Sequence, residues 1–257
     1  GPYPRLTAFG RTADVGAFPI GMDVTEFTAA LEGETAGREL QRVQASLLGR
    51  QMIIGVDRLD YSKGLEERFL AYEQFLIDNP DMQEKVFLLQ IATPSREDVE
   101  AYQEIRGRLD GESGRINGAF ATVDWVPIRY VNRGYRRDQL AGFYRAAKLG
   151  LVTPLRDGMN LVAKEYVAAQ DPDDPGVLIL SRFAGAAEQM AEALIVNPFS
   201  REDVSEAILK GLSMPLPERR RRWESLMAGL RATDVSAWRD SFVSALMKGG
   251  PARLVAR

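Results

Sequence analysis

The stretch VTPLRDGMNLVAKEYVAA, residues 152–169, changes character halfway along its length. It begins as an apolar strand, ends with the composition of a helix, and carries the polar turn RDGMN between the two. A second stretch, GVDRLDYSKGLEERFLAYEQFL at residues 55–76, has the same order of strand, charged turn and helix. Two such units predict an α/β fold in which charged turns follow buried strands.

The rest of the chain alternates in the same way. Apolar and β-branched runs predict strands at 15–23, 50–58, 85–92, 122–131, 148–154 and 176–181, followed by an apolar run at 193–198. Helical spacing predicts helices at 25–49 with breaks near Gly33 and Gly37, at 95–114 with Ser95 as cap, and at 136–147, 160–170, 184–191, 200–213, 217–232 and 234–248. Pro127 favours a sheet edge for its strand. The alternation predicts a mostly parallel sheet with helices on both faces, whose ligands bind beyond the carboxyl ends of the strands.

The composition narrows the possible chemistry. The chain has no cysteine and no histidine, which excludes disulfides, cysteine nucleophiles and histidine bases from its own residues. Its formal net charge of −3 gives no general attraction to nucleic acid. No apolar run has the length of a membrane span, and the first residues lack the apolar segment of a signal peptide. A cytoplasmic protein without membrane or nucleic-acid partners is therefore expected.

One basic run stands apart from this balance. Arg219 to Arg222 precede Trp223, a pattern that could suggest nucleic-acid binding. The start of a helix with alternating charge explains the run more simply. Trp125, Trp223 and Trp238 are likewise expected to be packing residues and not platforms for a base.

The turn of the second stretch holds two cations. Arg58 ends the strand, and Lys63 lies just before the next helix. An arginine and a lysine beside the unpaired amides of a helix start can bind phosphate. The alternative is an ordinary surface turn in which Arg58 pairs with Asp57 or Asp60 and Lys63 is solvated.

The turn of the opening stretch offers carboxylates. Gly158 permits a tight turn, and Asn160 lies where the helix begins. Asp157 can accept hydrogen bonds from a polyol, and Glu165, further along the helix, can bind a ribose diol. The alternative is that Asp157 caps the helix while Glu165 pairs with Lys164 or another neighbour.

Cations on one turn and carboxylates on another suit a diphosphate that is linked to sugars. A parallel sheet would bring both turns to one edge. The glycine-rich fingerprint G-x-G-x-x-G of dinucleotide folds does not follow a strand here, and the phosphate loop G-x-x-x-x-G-K-[ST] is absent. The residues therefore predict a nucleotide-sugar site in preference to a dehydrogenase site.

Longer blocks of the sequence resemble a known family. GVDRLDYSKGLEERFLAYE and GLVTPLRDGMNLVAKEYVAAQD are similar to the signature blocks of glycosyltransferase family 20, the retaining trehalose-6-phosphate synthases. VGAFPIGMD, ATPSREDVEAYQ and VDWVPIRYVNRGY agree with that family in the same order, so the resemblance extends from about residue 10 to about residue 245. It implies a GT-B fold of two Rossmann-like domains, of which this chain matches the C-terminal, UDP-glucose-binding one.

The resemblance implies a role for each site residue. Arg58, Lys63 and Asp157 are the expected catalytic residues, the first two on the donor diphosphate and the third on glucose hydroxyls. The other donor-binding residues are expected to be Gly158, Met159, Asn160 and Leu161 in the turn, Glu165 at the ribose, and Gly134 and Tyr135 at the uracil. Arg96 is expected to reach the phosphate of the acceptor, glucose 6-phosphate, which the family binds in its N-terminal domain.

The resemblance also implies the mechanism. The anomeric configuration is retained, and the leaving diphosphate deprotonates the incoming hydroxyl, which suits a chain without histidine. No cofactor and no metal ion are expected, because cations of the protein take the place of Mg²⁺.

The domain division follows from the same comparison. We expect a lead-in at 1–48, a nucleotide-sugar domain at 49–233, and a C-terminal helix and tail at 234–257 that pack differently or fray without the family's acceptor domain. The chain is expected to bind UDP or UDP-glucose but to turn over poorly by itself. Homo-oligomers of the full-length protein are left open. So are three other functions: a glucosylglycerol-phosphate synthase, a pseudo-glycosyltransferase, and a catalytically silent nucleotide-sugar-binding module.

Overall fold

The computed structural model describes residues 4–94 and 100–249. The chain opens with an exposed antiparallel hairpin of β1 (Arg5–Ala8) and β2 (Arg11–Asp14), followed by helices α1 (Val24–Leu31) and α2 (Glu34–Leu47). Strands and helices then alternate as far as β7, in the order β3 (Gln51–Arg58), α3 (Leu65–Asp78), β4 (Val86–Thr93), α4 (Glu100–Phe120), β5 (Ile128–Val131), α5 (Arg137–Ala146), β6 (Leu149–Val152), α6 (Leu161–Ala169) and β7 (Val177–Ser181). The strand β8 (Leu194–Val196) and the helices α7 (Arg201–Ser213), α8 (Leu216–Ala232) and α9 (Val235–Gly249) follow.

The central sheet has six parallel strands in the order β5-β4-β3-β6-β7-β8. The chain runs outward from β3 to β5, returns to the centre, and runs outward again from β6 to β8. This is the Rossmann order, with its reversal between β3 and β6. The loops after β3 and β6 therefore leave the sheet side by side, at the place where such sheets bind ligands. The predicted Rossmann-like parallel sheet is confirmed.

Helices cover both faces of the sheet because its strands are apolar on both sides. In β3, Met52 and Ile54 point into one core and Ile53 into the other. Helices α1, α2, α5, α6 and α8 supply side chains to the first core, and α3, α4 and α7 to the second. Phe27 of α1 is fully buried in the first core, so the segment predicted as a lead-in shares the core of the sheet domain. The exact domain bounds stay a prediction.

The prediction of a strand at residues 15–23 is wrong. Those residues contain no strand, and part of their backbone pairs with α9. The Val235 N–H donates to Met22 O at 3.2 Å, and the indole of Trp238 donates to Phe18 O at 3.0 Å. The apolar residues of this segment therefore contact a helix from the far end of the chain, which its short-range pattern could not show.

Three other boundaries differ from the sequence prediction or qualify it. Gly33 separates α1 from α2 as expected, but Gly37 lies inside α2. The strand predicted at 122–131 shortens to β5, which begins directly after Pro127 and lies at the sheet edge as predicted. The predicted cap Ser95 lies outside the described residues.

The last helix is attached at its beginning. The ring of Trp238 stacks on that of Phe242 with centroids 5.9 Å apart, and Phe18 meets Phe242 edge to face at 5.2 Å. The described part of α9 is helical throughout. Its later turns leave Leu246 and Met247 exposed.

Candidate functional site

The turns after β3 and β6 are hydrogen-bonded to each other at the reversal point of the sheet. The backbone N–H groups of Leu155 and Arg156 both donate to Ser62 O, at 2.8 and 3.2 Å. Gly64 has a φ of 62°, and a Cβ added there would lie 2.9 Å from Thr153 O. This close approach requires a glycine. The two charged stretches of the sequence are thus in direct contact.

Asp60 shapes the first turn, which contains a short 3-10 helix. Its Oδ1 accepts from the Ser62 N–H at 2.9 Å and from the Ser62 hydroxyl at 2.7 Å, and its Oδ2 accepts from the Tyr102 hydroxyl at 3.0 Å. Burial raises the pKa of Asp60, but the hydrogen bonds from Ser62 and Tyr102 and the charge of Lys63 outweigh burial and lower the pKa overall. Asp60 is therefore a fixed acceptor that orients the turn of Lys63.

Asn160 shapes the second turn. It has a φ of 78°, and its Oδ1 accepts from the Ala163 N–H at 3.2 Å, as an N-cap does. The alternative in which Asp157 caps α6 is therefore wrong. Asp157 instead accepts from the Met159 N–H at 3.3 Å and from the Asn160 side-chain amide at 3.1 Å, both inside the turn. These bonds hold the Asp157 carboxylate in place.

An ion pair joins the two turns. Lys63 Nζ lies 2.5 Å from Asp157 Oδ2, and the two side chains are only 13% and 16% exposed. The alternative in which Lys63 is solvated is wrong. Beside the pair in sequence, Gly158 is exposed, as is Leu161 at the first residue of α6. A cation and a carboxylate are thus fixed next to the exposed start of a helix.

Arg58 has no partner of its own within the described part of the chain. Its side chain is exposed at the end of β3 and makes no hydrogen bond or ion pair to the residues of 4–94 and 100–249. The alternative in which it pairs with Asp57 or Asp60 is wrong, because Asp57 pairs with the buried Arg68 and Asp60 is bound as described. The Arg58 guanidinium is therefore available to an external anion.

Glu165 lies on α6 beside a different cation from the one considered in the sequence. The Nε of Arg137 is 3.3 Å from its carboxylate, and the Glu165 side chain is 17% exposed. Burial raises the pKa of Glu165, against the opposing charge and hydrogen bond of Arg137. The alternative that Glu165 pairs with a neighbouring cation is therefore confirmed, but with Arg137 and not Lys164, whose ammonium donates to Ile20 O at 2.9 Å and to Gln189 Oε1 at 2.7 Å.

Gly134 and Tyr135 lie at the same edge of the sheet as the two turns. A Cβ added at Gly134 would be 3.3 Å from Thr93, the residue paired in register with Arg58 at the carboxyl ends of β4 and β3. The Tyr135 ring meets Phe143 edge to face at 5.0 Å. The backbone of the Gly134–Tyr135 loop therefore lies at the carboxyl edge of the sheet, the same edge as the other predicted donor-binding residues.

A third loop supports the site, one for which no functional role was predicted from the sequence. After β7, the Asp157 N–H donates to Phe183 O at 3.1 Å, the Gly185 N–H to Asp157 O at 3.0 Å, and the Ala186 N–H to Met159 O at 2.8 Å. A Cβ added at Gly185 would lie 2.1 Å from Gly158 O. The run of small residues AGAA at 184–187 was the available signal for such a close approach.

Two predictions, the role of Arg96 and the absence of a metal or cofactor, remain untested. Arg96 lies outside the described residues, so its contact with an acceptor phosphate stays a prediction. Within 4–94 and 100–249, no three acidic side chains cluster closely enough to hold a metal ion. The expectation of a reaction without metal or cofactor stays a prediction as well. Across the same two ranges, no helix combines the length and apolarity needed to cross a membrane.

The basic run and the tryptophans make internal contacts. Each arginine from Arg219 to Arg222 donates to a carbonyl or a carboxylate of this chain. The indoles of Trp125, Trp223 and Trp238 each donate to a backbone carbonyl. These groups hold α8, β4 and α9 in place, as the packing interpretation expects.

The strand order and the charged turns at its reversal point define a Rossmann-like domain. The sequence profile named glycosyltransferase family 20 matches residues 3–248, and the chain belongs to that family.

Named relatives and solved structures agree with this family assignment. The trehalose-6-phosphate synthase of Sinorhizobium fredii (strain NBRC 101917 / NGR234) is 49% identical over 242 residues, which are 94% of this chain and 52% of the relative. The α,α-trehalose-phosphate synthase (UDP-forming) from Burkholderia xenovorans, solved in complex with glucose-6-phosphate, superposes with a TM-score of 0.92 at 51% identity, over 95% of this chain and 54% of that one. A structure from E. coli bound with UDP-2-fluoro glucose has a TM-score of 0.89 at 44% identity, over 95% and 56%. The GT-B assignment is confirmed, and the chain spans about half the length of these relatives.

Proposed function

We propose that this chain is the donor-binding half of a retaining glucosyltransferase. It binds UDP-glucose and, with an acceptor domain, transfers glucose to glucose 6-phosphate to give trehalose 6-phosphate and UDP. The observation that carries the proposal is the Lys63–Asp157 pair at the reversal point of the sheet, together with Arg58, which has no partner among the described residues. The names of the relatives favour glucose 6-phosphate over the acceptors of the alternative functions.

Each site residue has a role that fits its contacts. Arg58 binds the diphosphate in two-point fashion, and Lys63 adds a charge that Asp157 holds in position. Asp157 Oδ1 accepts one long bond, from the Met159 N–H at 3.3 Å, and has a second lone pair for a glucose hydroxyl. The remaining donor contacts are the exposed turn and helix-start backbone at Gly158, Met159, Asn160 and Leu161, the Glu165 carboxylate at the ribose, and the backbone of Gly134 and Tyr135 at the uracil.

The chemistry requires charge stabilisation more than a protein base. The bond between the anomeric carbon and the diphosphate oxygen breaks, and its electron pair leaves with UDP. The acceptor hydroxyl bonds to the same face of the sugar, and its proton passes to an oxygen of the leaving diphosphate. Arg58 and Lys63 stabilise the charge that develops on the β-phosphate, from positions set before the reaction begins.

Calorimetric titration of this chain with UDP, UDP-glucose and glucose 6-phosphate tests the proposal. The first two ligands are expected to bind and the third to show no heat of binding, because the donor site is in this half. Loss of binding for both nucleotides would overturn the proposal. Turnover by the chain alone is expected to be poor, and substantial synthase activity in a pure sample would contradict the division of labour between the halves.

Gly185→Ala is expected to weaken UDP-glucose binding by about tenfold. The new methyl group would meet Gly158 O at 2.1 Å, and displacing the turn costs about 1–3 kcal/mol. Titration calorimetry measures the affinity. Gly107→Ala is a matched control, because a Cβ at Gly107 in α4 meets nothing within 4 Å and should leave binding unchanged. Equal affinities for both variants would show that the turn at Gly158 does not contact the donor.

The affinity for UDP is expected to fall on acidification, beginning at a higher pH than an ordinary glutamate would cause. Glu165 accepts from the ribose diol only as a carboxylate, and burial raises its pKa. Its contribution is therefore present above the raised pKa and is lost as the pH falls through it. Titrations between about pH 8 and about pH 4 measure the effect.

The variant Glu165→Gln separates this effect from protonation of the ligand. The terminal phosphate of UDP itself takes up a proton near about pH 6, and both proteins share that dependence. Only the wild-type chain should show the additional acid loss. Parallel pH profiles for the two proteins would exclude the Glu165 carboxylate from ribose binding.

A further inference from the structure

A buried arginine connects the elements that carry the site. Arg68, in the first turns of α3, is 1% exposed. Its guanidinium donates to the carboxylate of Asp57, to Gln90 Oε1 at 2.8 Å and to Thr153 Oγ1 at 3.0 Å. A longer bond of 3.4 Å reaches the backbone carbonyl of Lys63. One side chain thus touches the ends of β3 and β6, the middle of β4 and the first site turn.

The guanidinium lies over β3 on the face that α3 covers, beside the reversal point of the sheet. β3 and β6 pair only at Ile53–Leu149 and Ile54–Gly150, so the carboxyl half of β3 has no ladder partner on that side. Gly55 makes room there, since a Cβ would lie 2.3 Å from Gln90 Oε1 and 2.6 Å from Arg68 Nη1. Beyond Ile54, where β3 and β6 no longer pair, the Arg68 side chain links the two chain segments through the side chains of Asp57 and Thr153.

We infer that Arg68 is a positioning residue for the diphosphate: it sets the spacing between the turn of Lys63 and the turn of Asp157. The inference rests on the proposed function. A planar guanidinium with a fixed fork can satisfy acceptors from several elements at once, whereas a lysine ammonium on a flexible stem cannot hold them in one plane. Loss of that geometry lets the two turns move relative to each other, which weakens the contact of Lys63 with the β-phosphate before the other donor contacts.

A second buried arginine provides a matched control. Arg219 is 7% exposed and donates to the backbone carbonyls of Met214 and Pro175, and it pairs with Asp174 at 2.6 Å. Pro175 lies before β7, at the amino edge of the sheet and away from the two turns. Arg219→Lys therefore disturbs a comparable buried network without touching the site.

The experiment compares Arg68→Lys with Arg219→Lys in this chain. Thermal unfolding gives their stabilities, and calorimetry well below the unfolding temperature gives affinities for UDP and for uridine monophosphate, which lacks the β-phosphate. We expect both variants to lose stability. Only Arg68→Lys should lower the ratio of UDP affinity to monophosphate affinity, by about tenfold, the effect of about one charge-assisted hydrogen bond.

Each outcome decides the inference. A ratio for Arg68→Lys within about twofold of wild type overturns it, as does an equal fall in Arg219→Lys. If Arg68→Lys does not fold, Thr153→Val is used in its place. Valine has nearly the volume of threonine but lacks the hydroxyl that accepts from Arg68, and the ion pair of Arg68 with Asp57 stays intact. The same ratio should then fall by about threefold, and an unchanged ratio overturns the inference. A wild-type chain that binds no UDP overturns the proposed function itself, and this inference with it.

Discussion

Arg58→Ala in the full-length enzyme is expected to slow glucosyl transfer by about 10²–10³-fold. A preorganised donor that meets charge developing in the transition state is worth about 3–4 kcal/mol. Arg58 is exposed at the end of β3, and within the described residues no carboxylate neutralises it. Its charge is therefore available to the leaving diphosphate. The rate of UDP release at saturating glucose 6-phosphate measures the effect on kcat.

Controls separate this role from a general loss of positive charge. Lys85→Ala removes an exposed cation just before β4, at the opposite edge of the sheet, and should leave the rate unchanged. Lys63→Ala should slow transfer by a similar factor and also weaken donor binding, because Asp157 loses its partner. An Arg58→Ala or Lys63→Ala enzyme within a few fold of wild type would remove that residue from the catalytic role.

The largest expected effect on stability is that of Asp57→Ala. Asp57 and Arg68 form an ion pair whose side chains are 2% and 0% exposed. Removing the carboxylate leaves the guanidinium buried with only neutral acceptors, and breaking a buried pair in this way costs about 3–5 kcal/mol. Urea unfolding measures the loss as a lower midpoint with an unchanged slope.

An exposed ion pair gives the comparison. Asp240 lies 2.8 Å from Arg239, with side chains 68% and 64% exposed. Asp240→Ala is expected to change the free energy of unfolding by less than about 1 kcal/mol, because water screens the pair. Similar losses for Asp57→Ala and Asp240→Ala would mean that the charge of Arg68 finds water or another partner when Asp57 is absent.

Local patterns predicted most of the sheet and the residue types of the site. The runs at 50–58 and 85–92 became β3 and β4 because strands buried on both faces are apolar throughout. The strand predicted at 15–23 failed because its apolar residues contact α9, which follows it by more than two hundred positions. Short-range periodicity cannot distinguish a strand that joins a sheet from an extended segment that packs on a helix.

The residues that hold the site in place were harder to predict than the charged residues that the site offers to a ligand. Arg58, Lys63 and Asp157 stand out in the sequence because charges are unusual directly after buried strands. Arg68 does not stand out, since an arginine on a helix is ordinarily exposed. Gly185 is one glycine among many, and only its contact with Gly158 O gives it a role.

By itself, the sequence determined the layered architecture and the chemical groups offered to a ligand, because burial, periodicity and turn composition are local properties of the chain. Only the tertiary structure decided which charges meet. Lys63 and Asp157 are 94 positions apart, and Arg68 and Thr153 are 85 apart. They become neighbours because the strand order reverses between β3 and β6, which brings the two turns together under one guanidinium of α3.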